Sequence, residues 1–186
     1  MRTLFWQMMV SLDGFMEGPD GALDWHVTDD EFGEYVAEMG KTIDTILFGR
    51  KTYEMMAAFW PSSTDAEAPM MNDLPKVVFS RTLDHVDWNN SRLAGPDIEA
   101  EVRSLKEQPG RDIALLGSAA LASTLLRLNL IDEIRTFINP VLLGGGTPMF
   151  RDVDRMSLKL VRAEPFRSGN VLLYYQPQVD GTPPAK

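Results

Sequence analysis

The chain contains no cysteine among its 186 residues. Disulfides, thiolate metal sites and a cysteine nucleophile are therefore excluded. Histidine is almost as scarce: His26 and His85 are the only two, far apart in sequence, so no metal is expected. Positive charge is short as well. The 18 Lys and Arg stand against 27 Asp and Glu, a net charge of −9. Neutralising a phosphate backbone needs clustered cations, which argues against nucleic acid as a partner. No apolar run approaches the roughly 20 residues that span a bilayer. The N-terminus enters a strand-like pattern at once, without a signal-peptide apolar region. The expectation is a soluble cytoplasmic protein with no membrane partner.

What is present suits one domain with a sizeable core. The chain is organised around Thr45–Glu54. The apolar, β-branched run from Ile43 to Phe48 reads as a buried strand. Gly49 lets the backbone turn, and Arg50, Lys51 and Thr52 lead into a helical segment through Met55, Met56 and Ala57. A strand feeding a helix through glycine aims backbone N–H groups at one point, where the helix dipole favours an anion. Two cations and a hydroxyl beside it are the donors that phosphate oxygens require. A plain turn whose basic residues face water is the other reading of these ten residues.

The rest of the chain alternates in kind. Arg2 to Leu12 reads as a central strand, and Gly14 to Asp24, with glycines at 14, 18 and 21, as a mobile loop. Thr28 with Glu31 forms a capping-box pattern for a helix over 29–39, with Phe32, Tyr35, Val36 and Met39 on one face. An irregular connection is expected over 59–75, a short strand over 76–80 and a weak one within 83–96. A helix over 97–107 and a buried strand over 112–116 follow. The turn Gly117-Ser118-Ala119-Ala120 then starts a helix carrying Leu121, Leu125 and Leu128. A long strand pattern over 131–143 is interrupted at Pro140. A hairpin over 158–166 and 170–176 closes the chain, and 179–186 reads as a disordered tail. The fold class is thus α/β: a single domain over 1–178 with a mixed, mostly parallel sheet, helices on both faces and a C-terminal antiparallel hairpin.

Three strand ends carry comparable chemistry: Gly49-Arg50-Lys51-Thr52, Ser80-Arg81 and Gly117-Ser118-Ala119-Ala120. Ligands of open α/β sheets sit beyond the carboxyl ends of the strands. There is no GxGxxG, yet three such turns together point to a dinucleotide site. Their motifs, with Ser11-Leu12-Asp13-Gly14-Phe15, Gly21-Ala22-Leu23-Asp24-Trp25 and the stretch from Leu128 to Phe150, resemble the dihydrofolate-reductase-like family. The resemblance runs from about residue 3 to 177 and is nearest the reductase domain of bacterial riboflavin biosynthesis and its stand-alone relatives.

That resemblance implies NADPH as cofactor, a small heterocyclic substrate, either pteridine-like or pyrimidine-like, and a homodimer. It assigns Gly49, Arg50, Lys51 and Thr52 to the pyrophosphate and adenosine phosphate. Ser80 and Arg81 fall to the adenine and its 2′-phosphate, and Gly117, Ser118, Ala119, Ala120 and Leu121 to the pyrophosphate. Val10 and Leu23 belong near the nicotinamide. The substrate carboxylate of dihydrofolate reductases falls on Asp30, where helix capping is the competing explanation, and Trp25 and Phe32 are candidates to line the substrate pocket or the core. The family's Gly-Gly is Gly117-Ser118 here, and the Pro-Trp of true folate reductases is Asp24-Trp25. Gly144 to Gly146 is read as a conformational turn beside a dimer contact. The alternatives to an NADPH-dependent reductase are a nucleotide-binding protein without turnover and a structural dimer module.

Overall fold

Alternation along the buried strands divides their side chains between two cores, one on each face of a single sheet. A computed structural model describes residues 1–178; the expected tail at 179–186 lies outside the described residues. Eight strands make the main sheet. Their order is Ser91–Leu93 (β5), Lys76–Phe79 (β4), Ile43–Gly49 (β3), Asp112–Leu116 (β6), Leu4–Ser11 (β1), Glu133–Asn139 (β7), Val171–Gln178 (β10) and Ser157–Pro165 (β9). All neighbouring pairs from β5 to β7 are parallel, and β10 runs antiparallel to both β7 and β9. On one face Leu4, Trp6, Leu47, Val77, Ile113 and Leu115 pack beneath helices Ile98–Glu107 (α4) and Ala119–Arg127 (α5). The other face carries Phe5, Ile46, Phe48, Val78 and Ala114. It is covered by Asp30–Thr42 (α1), Arg50–Phe59 (α2) and Ala68–Asp73 (α3).

This topology positions the site. Neighbouring strands β3 and β6 hand over to α2 and α5, which lie on opposite faces. By this topology the crevice expected of an open α/β sheet lies between β3 and β6, beyond the carboxyl ends of the strands.

Several elements differ from what local patterns imply. The Gly14–Asp24 segment is tied down: Phe15–Glu17 (β2) pairs with Thr147–Pro148 (β8). Asp13 also accepts the Leu143 and Gly144 N–H groups at 3.1 and 2.8 Å. Gly146 has φ +127, and a Cβ there would collide with the Glu17 carbonyl, so the triple glycine lets two distant loops meet. Helix α1 begins one residue later than a Thr28 cap requires; its N-cap is Asp29. The proline-rich 59–75 connection contains a 3-10 turn at Trp60–Ser62 and α3, with Pro69 in the first turn, where its missing N–H costs nothing. Strand β7 stops at Asn139, before Pro140.

Candidate active site

The four helices that follow parallel strands or the loop after β1 do not begin alike. Asp29 caps α1 by accepting the Phe32 N–H at 2.9 Å, and Asp97 caps α4 through Ala100 N–H at 3.0 Å. Helices α2 and α5 have no side-chain cap; their cap positions are Gly49 and Ser118. An uncapped first turn presents backbone donors at the positive end of the helix dipole. Both uncapped starts border the β3–β6 crevice.

The two turns touch. Ser118 Oγ accepts the Gly49 N–H at 2.7 Å and donates to Thr52 Oγ1 at 2.9 Å, while Ser118 N–H donates to the same Thr52 oxygen at 3.2 Å. Because Thr52 Oγ1 accepts twice, its own proton is available to an outside acceptor. Gly117 is anchored from below: its N–H donates to the Gln7 carbonyl at 3.1 Å, and its carbonyl accepts Trp6 Nε1–H at 2.8 Å.

Cations lie along the same edge. Arg50 pairs with Glu54 at 3.0 Å, both partly exposed. Such an i,i+4 pair is worth only about 0.3–0.5 kcal/mol, so phosphate can compete for Arg50. Lys51 and Arg81 are exposed and have no partner among the described residues. Phe79 sits opposite Gly49 in the β4–β3 register, so Ser80 and Arg81 leave the sheet beside Arg50. Ser80 Oγ accepts the Thr82 and Leu83 N–H groups at 3.1 and 2.9 Å, shaping that turn. Ala119, Ala120 and Leu121 form the first turn of α5. The structure therefore gathers the three turns at the ends of adjacent strands β4, β3 and β6.

A second group of residues lies at the ends of β1 and β7. Val10 is buried, and its carbonyl accepts Asn139 Nδ2–H at 3.3 Å. Fully buried Asn139 accepts the Val27 N–H at 3.0 Å, and fully buried Asn170 donates to the Val27 carbonyl at 2.9 Å. The peptide at Val27 is thus clamped from both sides. Next to it, the His26 ring stands edge-on to Trp25. His26 Nε2 is buried without a hydrogen-bond partner among the described residues. Burial pushes its pKa down, which keeps the imidazole neutral. Leu23 is half-buried, with its carbonyl accepting the His26 N–H at 3.2 Å. Trp25 donates from Nε1 to the Ala22 carbonyl at 2.9 Å. Phe32 packs edge-on to Phe137 at 5.2 Å, against a small apolar cluster with Phe166 and Leu172.

The three acids at the start of α1 have separate placements. Asp29 is the cap, and Glu31 accepts the Arg167 N–H at 2.8 Å. Asp30 is exposed at the first helical position and has no partner among the described residues. Sequence reasoning missed the Asn139–Val27–Asn170 clamp. An asparagine at a strand end looks like a turn residue, and its partners lie 112 and 143 positions away. Among the described residues no helix is long and apolar enough to cross a membrane, and no three His, Asp or Glu side chains form a group that could hold a metal.

Residues 2–172 match the RibD C-terminal domain. The chain belongs to the RibD C-terminal domain family. The match takes in every strand from β1 to β9 and the start of β10. A relative, the uncharacterized protein YyaP of Bacillus subtilis, is 38% identical over 180 residues, covering 94% of each chain. Among solved structures, a Shewanella sp. PV-4 protein named for riboflavin biosynthesis superposes with TM-score 0.77 at 21% identity, covering 95% of this chain and 99% of that one. Dihydrofolate reductase of Enterococcus faecalis, complexed with NADP(H), gives 0.66 at 16% identity, covering 95% and 97%. The chain thus shares its fold with these proteins, in line with the family resemblance of the motifs at Gly49 and Gly117.

Proposed function

We propose that this chain is an NADPH-dependent reductase of a small heterocycle, in the class of the riboflavin-pathway pyrimidine reductase and dihydrofolate reductase. The observation that carries the reading is the pair of uncapped helix starts on either side of the β3–β6 crevice. Phosphate oxygens are the acceptors such donors lack. The first-turn amides of α2 and α5 and the Thr52 hydroxyl would hold the pyrophosphate. Arg50, Lys51, Ser80 and Arg81 supply charged and hydroxyl partners for a 2′-phosphate. The NADP(H) complex of the structurally similar dihydrofolate reductase supports the same cofactor class.

When bound, NADPH supplies the hydride for a polarised C=N or C=O bond. The chain's own work is positioning and exclusion of water. Val10 and Leu23 are assigned to the nicotinamide end, and the Val27 clamp fixes the linker that carries Trp25 and His26. Asp30, the one acid of its trio without a partner among the described residues, is assigned to orient or protonate the substrate. The chain also works as a homodimer in this reading, supported by β9, an edge strand on which Leu158, Leu160 and Val161 are 37–50% exposed.

The test is titration with NADPH and NADH, then stopped-flow oxidation of bound NADPH with pteridine and pyrimidine acceptors. NADPH should bind about tenfold tighter than NADH, and Arg50→Ala should lose about tenfold for NADPH. Equal affinities and no loss in Arg50→Ala would overturn the cofactor assignment. Binding without oxidation by any acceptor marks a nucleotide binder, and absence of affinity a structural module. Unchanged turnover in Asp30→Asn would remove Asp30 from the mechanism.

A further inference from the structure

Ser118 occupies a backbone conformation that a residue with a side chain seldom adopts. Its φ and ψ are 55 and 52, directly after Gly117 at φ 61. In this left-handed region an L residue crowds the following carbonyl, whereas glycine does not. A serine at a helix N-cap usually turns its oxygen onto its own helix. Here it does not cap α5. The hydroxyl instead crosses to the neighbouring turn, accepting from Gly49 N–H, the cap residue of α2, and donating to Thr52 Oγ1. The close approach leaves little room at either glycine. A Cβ on Gly49 would lie 3.2 Å from Ser118 Oγ, and one on Gly117 would lie 3.1 Å from Thr52 Cγ2.

We propose that Ser118 is a positioning residue: its hydroxyl locks the start of α2 to the start of α5 so that their free amides converge on one dinucleotide. The inference rests on the cofactor reading above and deepens it. Ser118 acts through Gly49 and Thr52, not by touching the cofactor itself. The Ser118 N–H also reaches Thr52 Oγ1 at 3.2 Å, so what the hydroxyl adds is the link to the Gly49 amide that the backbone does not make.

The experiment compares wild type with Ser118→Gly in NADPH titration, thermal melting and amide hydrogen exchange at Gly49. Glycine suits the left-handed dihedrals, so the variant should melt no lower than wild type. It should nevertheless bind NADPH about tenfold more weakly, the scale of one hydrogen-bonded link. The Gly49 amide should exchange faster even without nucleotide, since its acceptor is gone. Two results would overturn the proposal: NADPH affinity within twofold of wild type, or a lower melting temperature that tracks the lost affinity, which marks a purely structural serine. If wild type itself binds no dinucleotide, the cofactor reading fails first, and that is visible before any variant is made.

Discussion

Helices α1 and α4 begin with an aspartate of their own, while α2 and α5 begin at Gly49 and Ser118 with no side-chain cap. All four starts face the same edge of one sheet. An N-cap carboxylate contributes about 1 kcal/mol over alanine, while glycine at that position costs only a few tenths, so the α2 start forgoes little and the α5 start more. The six-residue α3 also starts without a side-chain cap; what distinguishes α2 and α5 is location, since they lie at the crevice between β3 and β6, with Arg50, Lys51 and Arg81 nearby. The capped pair closes its own ends; in the proposed reading the uncapped pair leaves donors for an incoming anion. That reading separates stability from binding along a single edge, residue by residue.

The comparison breaks most sharply if an uncapped start is given a cap. Gly49 has φ −79 and ψ 162, the extended conformation that an N-cap aspartate uses. Gly49→Asp would place a carboxylate where phosphate is expected, and NADPH affinity should fall about a hundredfold. Gly49→Ala controls for crowding against Ser118 Oγ and should lose far less. Equal affinity in the two variants, read by fluorescence titration, would show that no anion approaches this helix start.

Helix α3 extends the contrast to a helix end. Lys76 is buried, and its Nζ donates to the carbonyls of Met71, Asn72 and Leu74 at 2.9, 3.0 and 2.7 Å. It also lies 4.5 Å over the Trp88 ring. The carbonyls match the protons of an ammonium, yet burial pushes the pKa from 10.5 down to about 8. Between those values the unfolded chain holds the proton and the folded chain releases it, so stability rises with pH across that window. Below about pH 8 both states are protonated and this contribution is flat. Relative to Lys76→Met, wild type should gain about 2 kcal/mol from pH 8 to 10.5, measured by urea denaturation at each pH. No change in that difference would mean the ammonium persists in the fold.

Local patterns in the sequence already reveal the strand–Gly49–helix and strand–Gly117–helix units, because a buried apolar run followed by small residues is visible within a few positions. The same holds for the closing hairpin around Gly169. What they do not reveal is contact across long separations. The β2–β8 pair joins very short segments more than a hundred residues apart, and Pro148 sits inside it. The Val27 clamp depends on two asparagines that look like ordinary turn residues. Ser118 stands where the family pattern has glycine, and only its bonds to Gly49 and Thr52 show what its hydroxyl does there. The turns proposed to hold a dinucleotide were therefore legible as strand–turn–helix units, and the long-range contacts around Val27 were not.

The smallest effect concerns the start of α1, where Thr28, Asp29 and Asp30 are all residue types that cap helices. Spacing alone pairs Thr28 with Glu31. The fold instead uses Asp29 Oδ1 on the Phe32 N–H and turns Glu31 toward the Arg167 N–H, so the box is not formed. Asp29→Ala should cost about 1 kcal/mol, and Thr28→Ala no more than a few tenths, in urea denaturation. Neither should shift NADPH affinity by more than about twofold, because this start has its own acceptor and lies outside the β3–β6 crevice. Equal losses in the two variants would mean that Thr28 shares the cap. A loss of NADPH affinity in Asp29→Ala would mean that capped and uncapped starts are not separate in function after all.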